Sequence, residues 1–331
     1  MQIYEPDYYI RFRCLAGACP DSCCKDWDVE VDGETAARYR ALPGALGDAL
    51  RGALYTEEGH IYLRNTPAGR CPMWRADGLC RIQAELGAQA QADVCKVFPR
   101  LTHDYGDFLE RGLELSCPEA ARLILTSPPT PPRVSTVPGG DAPEYSPDAM
   151  ALLLHTRRAL CATLPQLPPQ HVPAVLLLFG SGVQDALFGG EVPALNPARC
   201  LAAARAIAEP GGLSGLLAFY RGLEILTPAW RHRLDTPAAD APWPDTFTAL
   251  ARYFIDRYYL QAVSDYDLLA RMKFAAASCI LIHALGGDPV ETAQCYAKEI
   301  ENDAETMDAL LNAADTDPAF AIGRLCGLLP L

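Results

Sequence analysis

The spacing of hydrophobic and polar positions changes character part-way along this chain. Over residues 247–260, Phe247, Leu250, Phe254 and Tyr258 recur at intervals of three and four, which places them on one face of a helix. A further helix is expected over about 267–283, stopped by Gly286 and Gly287. Asx-Pro pairs mark helix starts: Asn196-Pro197 before an alanine-rich run over 198–208, Asp288-Pro289 with Glu291 placed to complete a capping box, and Asp317-Pro318 before a short final helix. The run Leu178-Phe179-Gly180-Ser181-Gly182 reads as a helix end.

The first third is less regular. Asp32 is placed to cap a helix over 34–39, Pro43-Gly44 interrupts it, and a second helical stretch covers 46–54. Ile61 and Leu63 face one way in a short strand over 60–64, and 82–94 reads as a helix weakened by Gly87. The stretch 127–147, SPPTPPRVSTVPGGDAPEYSP, is dense in proline and glycine and reads as a linker or long surface loop. Strand signals are few. The expected architecture is mainly α: an irregular cysteine-rich metal-binding domain over 1–126, a linker over 127–147 and an all-helical domain over 148–331.

Composition narrows this further. With 331 residues, half of them hydrophobic, the chain can bury one large core or two ordinary ones, and 21% charged residues argue against wholesale disorder. A net charge of −13 repels phosphate backbones, so nucleic acid is not the expected partner, whereas a lysine-bearing one is compatible. The opening MQIYEPDYYIRFRC has no apolar core segment, so no secretory signal is expected. The apolar runs at 174–179 and 275–282 fall short of the roughly 18 residues a membrane span needs. The expectation is a soluble, cytoplasmic protein with no membrane partner. In that reducing compartment thirteen cysteines do not make a disulfide scaffold.

Eight of the thirteen lie in the first 117 residues: Cys14, Cys19, Cys23, Cys24, Cys71, Cys80, Cys95 and Cys117. The other five, Cys161, Cys200, Cys279, Cys295 and Cys326, are scattered singly, mostly among apolar neighbours, and read as small buried hydrophobes. Thiolates are soft ligands that suit zinc and iron–sulfur clusters, and short loops let several converge on one centre. Cys19, Cys71 and Cys117 each precede proline, which biases them to extended backbone. Ser116-Cys117-Pro118-Glu119 fits a capping box, which would put Cys117 in a helix's first turn, where the dipole favours a thiolate. Zinc is the competing assignment, although only Cys19-x3-Cys23, or the looser Cys14-x4-Cys19, has its usual ligand spacing and no histidine lies near the first cluster. Eight cysteines also exceed one four-ligand site, leaving a surplus for a second site, redox chemistry or the interior.

These blocks carry a resemblance. Pro6-x-Tyr8-x3-Phe12-x-Cys14-x-Ala16-x2-Cys19-x-Asp21-Ser22-Cys23-Cys24-x2-Trp27 resembles the N-terminal signature of the FliB-type flagellin lysine-N-methylases. Cys71-Pro72-x5-Gly78-Leu79-Cys80-x-Ile82-Gln83, Cys95-x3-Pro99-Arg100 and Leu115-Ser116-Cys117-Pro118-Glu119-Ala120-Ala121-Arg122 resemble the blocks that follow, so the likeness spans about residues 1–125. The blocks are also similar to a wider group of zinc- or iron-chelating cysteine domains. The resemblance implies a cytoplasmic enzyme that methylates lysine side chains of flagellin with S-adenosylmethionine, and a [4Fe-4S] cluster on the N-terminal cysteines.

The residues themselves do not reach methyl transfer. No glycine-rich turn sits in a βαβ context, and Cys19-x3-Cys23-Cys24 departs from the CxxxCxxC of the radical adenosylmethionine families because its third cysteine follows at once. S-adenosylmethionine is therefore expected beside the cluster. Lysine methylation needs a neutral amine. Asp21, Asp26, Asp28 and Asp32 crowd the first cluster and His103-Asp104-Tyr105 is placed to line a site, but no catalytic or cofactor-binding residue is assigned. The alternative is a non-enzymatic zinc- or iron-chelating module with a structural or redox-sensing role.

Overall fold

Helix starts in the second half follow the side chains that can satisfy their exposed N–H groups. In the computed structural model, which describes residues 1–27, 29–238 and 242–331, Ser146, Asn196, Thr227, Asp267, Asp288 and Asp303 each accept a hydrogen bond from the first turn of the helix they precede. The helices run Pro147–Thr163, Val172–Leu187, Pro197–Ile207, Ser214–Gly222, Pro228–Asp235, Thr246–Tyr258, Ala262–Asp265, Leu268–Leu285, Pro289–Ile300, Ala304–Thr316 and Ile322–Cys326. The protein is mainly α. The expected helix behind Asp317-Pro318 is a single 3-10 turn, Pro318–Phe320, ahead of Ile322–Cys326.

Leu268–Leu285 is the centre of the larger core, packed on Val172–Leu187, Thr246–Tyr258, Pro289–Ile300 and Ala304–Thr316. At 18 residues and a mean hydropathy of 1.6 it is long and apolar enough to cross a membrane, which corrects the expectation that nothing here reaches that length. It is 78% buried inside the protein, and its lysine and arginine are paired there: Arg271 with Asp265 at 2.8 Å and Lys273 with the Ala314 carbonyl at 2.6 Å. That is how a core helix accounts for its composition. The supposed helix end at Gly180 is also corrected. Gly180 sits within Val172–Leu187, where a Cβ would stand 2.7 Å from Met272 Cγ and 2.9 Å from Met272 Cβ. Glycine there lets the two helices approach closely.

The N-terminal third carries more strand than its pattern showed. β1 (Gln2–Glu5), β2 (Val29–Glu30), β3 (Leu54–Glu57), β4 (His60–Leu63), β5 (Arg100–Asp104), β6 (Phe108–Leu113) and β7 (Arg133–Thr136) form two sheets, ordered β5-β6-β1-β7 and β2-β4-β3. Ile3 pairs in parallel with Leu109 and antiparallel with Ser135. β7 falls inside the proline-rich segment 127–147, and the chain's first amino group donates to Val137 and Gly139 carbonyls, so that segment is tied to the start of the chain. Asp32 caps Gly33–Ala41 through the Thr35 N–H at 2.9 Å, and Gly44–Ala53 follows. The single helix expected over 82–94 is broken. Arg81–Leu86 ends where Gly87 turns to φ +87°, and a separate helix covers Asp93–Val97.

Two cores result. Val29, Tyr39, Leu50, Leu63, Met73 and Ile82 belong to the smaller one. The four-stranded sheet and the helix Pro118–Thr126, with Leu123, Ile124 and Leu125 buried, pack on the larger. A Gly180→Val substitution drives branched methyls into Met272 and should cost about 1–3 kcal/mol through overpacking. Urea unfolding reads the cost, and an unchanged midpoint would mean the two helices are not this close.

Candidate metal centre

The segments bearing the N-terminal cysteines are brought together by backbone contacts. Cys14 follows the helix Asp7–Arg11, and Cys19 closes the turn Ala16–Ala18 in an extended conformation. That turn abuts the second cysteine loop: a Cβ on Gly17 would stand 2.8 Å from the Asp77 carbonyl, and one on Gly78, at φ +78°, 3.0 Å from Gly17 Cα. Only glycine at both positions permits this approach. The Cys71 N–H donates to the Cys24 carbonyl at 2.7 Å, and the Asp26 N–H to the Gly69 carbonyl at 2.8 Å. An isolated bridge pairs Trp74 with Cys80, and Asp93–Val97 carries Cys95.

Cys117 differs from its expected setting. It is itself the N-cap of Pro118–Thr126, in extended backbone, while Ser116 Oγ donates to Glu114 at 3.2 Å and Glu119 pairs with Arg122. The capping box does not form, because Glu114 and Arg122 claim its two side chains. Nor does the helix end keep Cys117 ionised. Burial pushes its thiol up to about 11, against the lowering effect of the Ala120 and Glu119 N–H groups.

Among the described residues no cysteine is in a disulfide, and no three His, Cys, Asp or Glu side chains stand close enough to hold a metal ion as they are. The thiols nevertheless act on one another. Cys23 donates to Cys24, which raises Cys23 far above its ordinary value and, with Ser22 assisting against burial, brings Cys24 down to about 7. Burial pushes Cys95 up to about 12, and the charges of Cys24, Cys71 and Cys80 add to it. Burial also raises Cys19, opposed by the Asp21 N–H and reinforced by Cys14; Cys19 and Cys14 in turn act on Cys117. Sulfur is a soft donor of the kind zinc and iron–sulfur clusters take, but Cys14, Cys23 and Cys95 are exposed and the arrangement among the described residues does not itself form a metal site. The five later cysteines have the expected setting, Cys279 and Cys326 within the large core and Cys161, Cys200 and Cys295 packed against it.

One helix fixes the first cysteine loop to the helical body, and the sequence did not point to it. On Pro289–Ile300, Lys298 is only 5% exposed, with Nζ 2.7 Å from Asp26 Oδ2, 3.3 Å from Asp21 Oδ2 and 5.5 Å from the Trp27 ring centre. One turn earlier, Gln294 Nε2 donates to Asp21 Oδ2 at 3.0 Å and to the Ser116 carbonyl at 2.8 Å, joining the residue between Cys19 and Cys23 to the residue before Cys117. Burial pushes the Asp21 carboxyl up, but the Lys25 hydrogen bond and the Lys298 charge outweigh it and hold it low. The available signal was a lysine and a glutamine four apart on a face shared with Ala293, Ala297 and Ile300. Asp32 serves as a helix cap, and Asp28 lies outside the described residues.

A second polar group joins the helix Thr246–Tyr258 to Glu301, which follows Pro289–Ile300. Tyr253 and Tyr258 donate to Glu301 Oε2 at 2.9 and 2.7 Å, and Arg257 Nη1 stands 3.3 Å from the same oxygen. Glu301 is fully buried. Burial raises the nearby Glu114 carboxyl, with Arg257 opposing and Glu301 reinforcing. His103, on β5, is held down to about 4 by burial and then by the charges of Arg257 and Arg157.

Two measurements follow from these contacts. Lys298→Met leaves Asp21 and Asp26 without their buried cation and should cost about 2–3 kcal/mol, since both carboxylates keep some water. The urea midpoint reads it, together with faster amide exchange in the first cysteine loop; no change in either contradicts the contact. For His103, the folded value lies below the ordinary 6.5, so the unfolded chain takes up the proton first as pH falls. Its contribution to stability is full above pH 6.5 and is lost as pH drops toward 4. Against His103→Gln, the wild type should lose stability more steeply over that window; parallel curves would contradict the burial.

No family model matches the chain, and no solved structure is significantly similar to it. Curated proteins are. It is 34% identical over 138 residues to a lysine-N-methylase of Salmonella typhimurium, covering 38% of this chain and 33% of that one. A lysine-N-methylase of Salmonella choleraesuis is 33% identical over 138 residues, again 33% of its length. The flagellar biosynthetic protein FliU of Salmonella muenchen is 34% identical over 132 residues, which is 78% of its length. The match thus spans about a third of the two lysine-N-methylases and most of FliU.

Proposed function

The chain belongs to the FliB-type family of lysine-N-methylases and FliU flagellar proteins, and from that membership we propose that it is a lysine N-methyltransferase acting on flagellin, with S-adenosylmethionine as methyl donor and an iron–sulfur cluster on its N-terminal cysteines. The observation that carries the reading is the likeness to proteins named lysine-N-methylase, joined to the contact by which Gln294 holds the loop of Cys19 and Cys23 beside the residue before Cys117. Cys14, Cys19, Cys23, Cys24, Cys71, Cys80, Cys95 and Cys117 are the residues proposed to hold metal. An iron–sulfur cluster held by these cysteines would supply a site at which the donor could be anchored.

The chain's own residues contribute in two ways. Its net charge of −13 attracts a lysine-bearing segment and raises the encounter rate. Lys298, Asp21 and Gln294 hold the cysteine loop still against Ser116, which positions the centre relative to whatever docks beside it. The substrate lysine must reach the reaction as the neutral amine, so a proton has to leave before methyl transfer.

A second reading, a non-enzymatic metal-chelating module, is favoured by one observation. FliU, the relative matched over most of its length, is named for flagellar biosynthesis and not for a reaction. Anaerobically purified protein incubated with flagellin and S-adenosylmethionine separates the two. The enzymatic reading expects methyl-sized mass increments on flagellin lysines that need both the donor and the metal-loaded protein. Metal-loaded protein that leaves flagellin unmodified would favour the module.

A further inference from the structure

A sheet that is open on one side can accept a further strand, and the sheet ordered β5-β6-β1-β7 is open at β7. β7 is exposed along its whole length, and Val134 is 54% exposed. The register decides which of its backbone groups face outward. Met1 and Val137 exchange both bonds: the Val137 N–H donates to the Met1 carbonyl at 3.0 Å, and the Met1 amino group to the Val137 carbonyl at 3.1 Å. Bonded pairs in an antiparallel ladder recur at every second residue, so Ile3 with Ser135 and Glu5 with Arg133 come next. Val134 and Thr136, opposite Tyr4 and Gln2, therefore turn their N–H and C=O groups away from β1. Among the described residues no backbone group pairs with them there.

This edge is preformed and short. Pro131 and Pro132 precede it and Pro138 follows it, which keeps strand pairing from spreading along the neighbouring chain. After β7 the chain crosses to the turn between β5 and β6, where the Asp141 N–H donates to the Gly106 carbonyl at 3.1 Å. Carboxylates gather at this end of the sheet. Asp141 and Glu144 are exposed, as are Asp104 and Asp107 at the turn. The last two accept from the Gly106 N–H and the Tyr145 hydroxyl, not from a cation, so their charge is turned to solvent uncompensated.

We propose that β7 is the docking edge for the protein substrate: an extended, lysine-bearing segment adds to it as a fifth strand, its backbone bonded to Val134 and Thr136 and its lysines drawn to the carboxylates at the end of the sheet. This rests on the reading of the chain as an enzyme that acts on a lysine-bearing polypeptide. Strand addition suits such a partner. Main-chain bonds supply affinity without requiring a particular sequence, and charge supplies the selection. Because the edge is already ordered, little of the binding energy goes into arranging it. A second copy of this chain is the poorer occupant, since it carries the same charge of −13 and is repelled. At its other end β7 pairs Arg133 with Glu5, and the helix Asp7–Arg11 leads from there to Cys14. The docking edge therefore begins beside the segment that enters the first cysteine loop.

The test uses the full chain, purified anaerobically, with monomeric flagellin as the probe. Amide hydrogen exchange and steady-state methylation are the two readouts. Flagellin should slow exchange over 133–137. Proline is tolerated on an edge strand where the N–H faces water, so Val134→Pro removes an outward donor and leaves the ladder to β1 in place. Val134→Pro, and separately Asp141→Asn combined with Glu144→Gln, should each raise the KM for flagellin about tenfold, with the effect in KM and not in kcat. If Val134→Pro does not accumulate, exchange in the wild type and the paired acid variant decide. Exchange over 133–137 that flagellin leaves unchanged overturns the proposal, and so does an unchanged KM in these variants. Protection of β7 that grows with protein concentration in the absence of flagellin means that a second copy covers the edge, and also overturns it. Methylation with full efficiency by every variant leaves the enzymatic reading standing while the docking edge falls. If wild type does not methylate flagellin, the enzymatic reading falls, and exchange alone decides the docking edge.

Discussion

Lys298 is the contact on which the placement of the cysteines depends. An ammonium group 95% removed from water is unfavourable unless anions replace the lost hydration, and Asp26 and Asp21 do so at 2.7 and 3.3 Å, with the Trp27 ring covering the remaining side. Such an arrangement is worth little as net stability compared with an apolar contact of the same size. Its effect is to exclude other arrangements, because any register that separates Lys298 from these carboxylates leaves a bare charge buried. Asp21 and Asp26 bracket Cys23 and Cys24, so fixing the acids fixes the thiols. Gln294 repeats the constraint one turn away and extends it to Ser116, and hence to Cys117.

What could be read from the sequence was local. Asp32, Asn196, Asp267 and Asp288 cap their helices as the spacing says, because a cap depends on three or four neighbouring residues. The strand at His60–Leu63 and the helix Thr246–Tyr258 were legible for the same reason. What failed had a distant cause. Gly180 looked like a stop, but its reason is Met272, ninety-odd residues on, which leaves no room for a Cβ. Ser116 and Glu119 looked like a reciprocal cap, but Glu114 and Arg122 compete for them. β1 and β7 have no strand pattern of their own, and they exist because the two ends of the first 137 residues pair. Lys298 finds its carboxylates more than 270 residues away, which no periodicity reports.

The cysteines themselves fall between these cases. Their number and clustering raised the expectation of ligands, and the resemblance to the FliB-type family is borne out by the curated relatives. Which core each cysteine loop joins was not legible, since that depends on distant contacts. Cys23 and Cys24 are neighbours in the chain, yet Cys24 is stitched to Cys71 while the loop of Cys23 is held to the helical body. The helical two thirds, though silent in the motif pattern, thus contribute the side chains that hold the motif in place.

X-ray absorption at the iron and zinc edges of anaerobically purified protein tests the central claim, that these thiols are ligands of an inorganic centre, most directly. The predicted result is a first shell of sulfur alone around every bound metal. A first shell of nitrogen or oxygen, or protein that carries no metal, would contradict it.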